Sequence, residues 1–126
     1  MPPDNIPESL SVPLSSLVNL AIEYWRLATW LAAIPGSNSS AAGPARHALR
    51  RFEEFFKSSD LEVRSMDGQP FDPGLAVRVI DALEDATLPD GRTVIAETLS
   101  PMVLWHGRVL KPAEIVTRRG VGEGRA

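Results

Sequence analysis

Leu14–Ile34 is an almost unbroken apolar stretch, fenced by Pro13 on one side and by Pro35-Gly36 on the other. Proline lacks the amide hydrogen that a helix interior requires, so the fences set a single helix between them. Ser15 or Ser16 can cap its start. The polar residues Asn19, Glu23, Arg26 and Thr29 fall on one narrow stripe at helical spacing, while Leu17, Val18, Leu20, Ile22, Tyr24, Trp25, Leu27, Trp30 and Leu31 fill the rest. A helix resting on one neighbour needs an apolar face only somewhat over ~100° wide. This face is far wider and has to be covered from more than one side. Asn19, Glu23 and Arg26 near the middle also argue against a bilayer crossing, since each mid-bilayer charge costs roughly 2.5–3.5 kcal/mol on insertion.

A partner helix follows. Residues 35–43 form a Gly/Ser/Asn/Ala loop, and Pro44 suits the first turn of a helix. Ala45, Ala48, Leu49, Phe52, Phe55 and Phe56 recur at three and four residues and make one apolar face running to about Ser58. Arg50 with Glu54, and Glu53 with Lys57, are i,i+4 pairs for the wet side. The pair reads as an antiparallel hairpin over residues 14–60. One short partner does not cover the first helix. Two hairpins joined about a two-fold axis, a four-helix bundle, would do so, with Leu17, Ala21, Trp25, Trp30, Leu49, Phe52 and Phe56 between the copies. The competing expectation is that the rest of the chain covers the surplus.

From Leu61 the period changes from helical to alternating. Leu61–Met66, Arg92–Thr98 with Val94 and Ala96 on one side, Pro101–Trp105, Arg108–Leu110 and Glu114–Thr117 read as strands. Ala76–Leu83 is strand or helix, with Val77, Val79 and Ile80 favouring strand. Asp67-Gly68, Phe71–Gly74, Leu88–Gly91 and His106-Gly107 are turns. The expected fold class is α+β: a helical hairpin followed by a small all-β domain over residues 61–118. A Pro-rich lead-in over 1–13 and a frayed Gly/Arg tail over 119–126 flank them.

Chemistry is hard to place on this chain. It has 126 residues and no cysteine, which removes disulfides, thiolate nucleophiles and Cys-based zinc sites. His47 and His106 stand alone, without metal-ligand spacing. Asp81, Glu84, Asp85 and Asp90 do not follow a calcium-loop pattern and read as a solvated acidic run. Gly120, Gly122 and Gly124 have no following helix on which to cradle a phosphate. Residues 61–107 carry eight acids against three bases and residues 108–126 five bases against two acids, too sparse a basic stretch for a phosphate backbone. The first twelve residues lack a basic n-region and a continuous apolar core, so a cytoplasmic chain without a leader is expected. The expectation is a protein-binding module, not an enzyme, with no cofactor, no metal and no nucleic-acid or membrane partner.

Four phrases then carry a resemblance. Leu61-Glu62-Val63, Gly68-Gln69-Pro70-Phe71-Asp72-Pro73, Pro89-Asp90-Gly91, and Gly107-Arg108-Val109-Leu110-Lys111-Pro112-Ala113-Glu114-Ile115-Val116 stand in order and at spacings similar to those of GrpE, the nucleotide exchange factor of DnaK-type chaperones. Leu75-Ala76-Val77 stands where the family has a His-x-Ala, and Pro101-Met102 where it has a Gly-Tyr. A lead-in stands where the family carries a long charged coiled coil. The resemblance implies a homodimer whose β-domains each lean on the ATPase domain of a DnaK-type chaperone and promote ADP release. By position it implies that Arg108, Lys111, Pro112 and Asp72 contact the partner. Met102 and Trp105, the latter at the hairpin tip, join them as candidate anchors, with packing on the sheet as the other role for Trp105. The alternative function is a GrpE-like adaptor or scaffold without exchange activity.

Overall fold

The structure is a computed structural model and describes residues 6–121. It is α+β: two helices followed by six strands in two small sheets. Helix α1 spans Leu14–Ala33 and α2 spans Gly43–Ser58, with a single 3-10 turn at Ser40–Ala42 between them. Pro13 sits in extended backbone just ahead of α1, and Gly36 takes φ 77° just after it, so both fences act as their chemistry requires. The Arg46 guanidinium donates to the carbonyls of Ser37 and Ser39, tying the loop to α2. At the other end of α2 the Ser58 and Ser59 hydroxyls donate to the Phe55 carbonyl at 2.8 and 3.0 Å, and Asp60 turns the chain with φ 59° into the first strand.

The strands are β1 Leu61–Arg64, β2 Val77–Asp85, β3 Thr93–Ser100, β4 Met102–Trp105, β5 Arg108–Lys111 and β6 Ala113–Gly120. One sheet has the order β1-β4-β5 and is antiparallel throughout, with Leu61 opposite Trp105 and Val103 opposite Lys111. The other has the order β2-β6-β3, with β6 parallel to β2 and antiparallel to β3. Buried Pro101 lies between β3 and β4, where the chain passes from one sheet to the other without needing a ladder donor.

Two apolar clusters hold these elements. Val18, Ala21, Ile22 and Phe56 of the hairpin meet Leu61 of β1 and Val103 of β4. Met66, Ile95, Met102, Leu104, Ala113 and Ile115 form the second. Successive side chains of a strand point to opposite faces. Val103 therefore joins the first cluster while Met102 and Leu104 join the second, and the β1-β4-β5 sheet is a middle layer between the helices and the β2-β6-β3 sheet. The Met66 amide donates to the buried Thr98 hydroxyl at 2.9 Å, and among the described residues no buried side-chain nitrogen or oxygen lacks a partner.

The ambiguous stretch after Leu75 is a strand, longer than the pattern indicates: β-branched Val77 and Val79 pair along β6, and the ladder resumes at Asp81 after a register shift that leaves Ile80 unpaired. In β3 it is Ile95, Thr98 and Ser100 that face inward, not Val94 and Ala96; a register shift between Ile95 and Glu97 changes the phase. The last strand runs to Gly120, not Thr117, and takes in Arg119 and Gly120, which were expected to fray. As the central strand of its sheet, β6 is held from both sides. Residues 122–126 of the expected frayed tail, and the first five residues of the lead-in, lie outside the described residues.

Candidate partner-binding surfaces

The β4–β5 hairpin turns at His106 and Gly107, whose φ values of 49° and 77° put both in the left-handed region. Two such residues in a row make the turn whose twist matches that of paired strands. The geometry leaves Arg108 exposed at the tip, with Val109 exposed beside it. Lys111 is half-buried and its ammonium donates to the Ser100 hydroxyl at 3.4 Å, while Pro112 is exposed. Asp72 is exposed in the loop between β1 and β2, where its carboxylate accepts the Gly74 amide at 2.9 Å and closes a turn.

Two expected anchors have other work. Met102 is buried in the second cluster, facing the β2-β6-β3 sheet, and is a core residue instead of a contact. Trp105 is half-buried against the first cluster, with its ring 4.3 Å from that of His106, so it packs on the sheet beneath the hairpin tip.

On the helices, Ala21 and Phe56 were expected between copies. They are buried in the chain's own core, where β1 and β4 cover that side of α1. Leu17 is half-buried against the same cluster. Trp25 is half-buried and its indole donates to the Ser65 hydroxyl at 2.7 Å, tying α1 to the β-domain. Leu49 is half-buried, in a groove of about 520 Å³ between the helices. Trp30 and Phe52 remain exposed, at 59% and 42%.

A larger apolar feature keeps Phe52 of the expected interface and adds residues outside it. Leu20 and Leu27 on α1 are 47% and 50% exposed, and Phe55 on α2 is 45% exposed. Leu20 and Leu27 lie two turns apart on one side of α1, and Phe52 and Phe55 lie one turn apart on α2. Leu20 meets Phe52 and Phe55 across one groove, and Leu20, Leu27 and Phe52 line the next. An apolar face therefore crosses both helices, edged by the Glu23–Arg26 and Arg51–Glu54 pairs. At 3.6 residues per turn, Leu20 and Leu27 lie well round α1 from Val18, Ala21 and Ile22, which seat the β-domain.

Where α2 meets the β4–β5 turn there is an open groove of about 440 Å³, lined among others by Tyr24, Glu53, Lys57, Asp60 and His106. Glu53 pairs there with Lys57 at 3.0 Å and Glu62 with Arg64 at 2.7 Å, and the Asp60 carboxylate lies 3.6 Å from the His106 Nδ1. Burial, and then Glu53, push the Tyr24 hydroxyl pKa up, and the hydrogen bond from Lys57 to Glu53 raises the lysine. On β2, hydrogen bonds from the Thr87 hydroxyl and amide, with Arg118 beyond, hold the Asp85 carboxyl below its usual range. Among the described residues no three His, Asp or Glu side chains converge as metal ligands, and no helix is long and apolar enough to cross a membrane.

No protein-family model matches the chain, and no curated protein matches it. What can be said of its function is carried by the residues.

Proposed function

We propose that the chain is a GrpE-like cochaperone: two copies join through their helical hairpins, and each holds its β-domain against the ATPase domain of a DnaK-type chaperone to promote ADP release. The carrying observation is the uncovered apolar face of Leu20, Leu27, Phe52 and Phe55. A face of this kind on a folded chain marks an interaction site. Because it lies well round α1 from the β-domain seat, a two-fold bundle built on it leaves both β-domains free at the periphery. Arg108, Lys111 and Pro112 then provide the contact on the partner, and a basic tip suits an acidic surface. The work is physical: binding one conformation of the ATPase better than another shifts its population toward an open nucleotide cleft.

Release of fluorescent ADP from a DnaK-type ATPase, followed by stopped flow, tests this. Acceleration that rises with protein concentration is expected; none at any concentration rejects exchange. A second reading, a dimeric adaptor without exchange activity, draws on the structural roles of Met102 and Trp105, which leave fewer residues for a partner. Tight binding to the ATPase domain with unaltered ADP release would favour it.

A further inference from the structure

β2 is bonded to β6 along one side, and among the described residues no strand borders its other side. The far edge of the same sheet is treated differently. There Gly68 donates to the Ile95 carbonyl at 2.8 Å, Ile95 to the Gln69 carbonyl at 2.9 Å and Phe71 to the Thr93 carbonyl at 3.0 Å, so a loop covers β3. The nine-residue β2 has no such cover among the described residues, and Val79, Ile80 and Leu83 stand exposed along it. An uncovered edge presents unpaired backbone donors and acceptors to any extended chain.

Charge determines which chain fits. Arg78 is engaged by Glu114 at 3.6 Å and Asp85 by Arg118 at 3.5 Å. Asp81 and Glu84 are exposed and, among the described residues, in no ion pair; Asp81 only accepts the adjacent Ala82 amide. Arg119 of β6, exposed and likewise in no ion pair among the described residues, lies in register beside Glu84, so the free charge along this edge, two acids against one base, is net negative. A second β2 laid parallel and in register would bring like charges together, and an antiparallel one centred on Asp81 would set Asp81 against its own copy and Glu84 against an Arg78 that Glu114 already engages; like charges directly opposite are destabilising in a strand pair. The irregularity at Ile80 further guards against indiscriminate pairing. A segment with basic side chains between apolar ones neutralises the acids and covers Val79, Ile80 and Leu83.

We propose that β2 is a docking edge for an extended peptide segment of a partner protein, alternating basic and apolar residues, which adds to the β2-β6-β3 sheet as a fourth strand. Backbone pairing supplies affinity in this mode and the side chains supply selectivity. The surface is separate from Arg108, Lys111 and Pro112 and does not depend on the chaperone reading.

The test uses the full chain and a labelled, end-capped peptide of alternating lysine and valine, with a glutamate-for-lysine peptide as control. The lysine peptide is expected to bind, to weaken as salt rises toward ~0.5 M, and to slow amide exchange over residues 79–84 while leaving β5 unchanged. Asp81→Lys with Glu84→Lys, both at exposed positions, should keep the melting temperature, weaken the lysine peptide by about tenfold or more and favour the glutamate peptide. Equal binding of both peptides, protection on β5 instead of β2, or no binding at ~1 mM peptide overturns the proposal. Protection of β2 that grows with protein concentration alone would show a second copy as the occupant and overturn it equally.

Discussion

Phe52→Ala measures the worth of the uncovered helical face. In the single chain Phe52 leaves 42% of its surface open. A fully buried aromatic side chain covers roughly 150–250 Å², so about 60–100 Å² of Phe52 is available to a second copy. At about 25 cal/mol per Å² that is about 1.5–2.5 kcal/mol per copy. A two-fold interface contains the residue twice, so the loss approaches about 3–5 kcal/mol per dimer, an upper figure because alanine retains some area. Each ~1.4 kcal/mol is tenfold in affinity, so the dimer should dissociate roughly a hundred- to a thousand-fold more readily. Sedimentation velocity over a concentration series reads the constant directly. Phe52 is also partly covered by its own chain, so the melting temperature falls as well, and association is measured far below it. Val109→Ala, on β5 at similar exposure, is the control and should leave association unaltered. A change below about threefold for Phe52→Ala, or a parent chain that stays monomeric, refutes the reasoning.

Gly120→Ala should be costly although it adds one methyl group, because the new Cβ would fall 1.9 Å from the Pro89 carbonyl oxygen, far inside van der Waals contact. Gly120 is bonded there to both Gly91 and Arg92 and has little room to shift; denaturant unfolding should show a loss of about 3–5 kcal/mol. Arg108→Glu should weaken binding to the ATPase domain while leaving unfolding within about 0.5 kcal/mol of the parent, since Arg108 is exposed at a hairpin tip. The Asp85 carboxyl is held low first by Thr87 and then by Arg118, so its contribution to stability is present above the usual aspartate range and is lost as pH falls through the folded value. Carbon-13 NMR of that carboxyl should titrate below 3.8 and move toward it in Thr87→Val; a midpoint at or above 3.8 in the parent contradicts this account.

The helices were legible because their signals are local: the proline fences of α1 and the three-and-four spacing along α2 need no tertiary information. The type of most strands was legible for the same reason, and His106-Gly107 announced its own turn. The pairing of β2 with β6 in parallel was not, because parallel pairing leaves no turn between the partners to betray it. The interface candidates show where one-dimensional reading fails. The excess width of α1 was correctly seen, but periodicity does not say which neighbour covers which sector. Leu61 and Val103, far along the chain, cover Ala21 and Ile22 and leave Leu20 and Leu27 open. Met102 was misplaced by the same blindness. In an alternating strand one residue separates a core face from an exposed one, and β4 has a core on both sides.

That last fact bears on how such a molecule would act on a partner. To shift another protein between two shapes, a binding module must resist the deformation it imposes, or the strain relaxes within the module. Here the connection between hairpin and β-domain is not a linker. Val103 of β4 is fixed in the helical cluster, and its immediate neighbours Met102 and Leu104 are fixed in the cluster with β6 and β3. Tilting the β-domain relative to the helices would open one close-packed core or the other, and interiors at crystal-like density do not yield gradually. The Trp25–Ser65 hydrogen bond and the bond from the His106 amide to the Asp60 carbonyl brace the same joint from two further sides. Force applied at the β4–β5 tip is thus transmitted to the hairpin through a single strand with a core on each face, as a lever on a fixed mount requires.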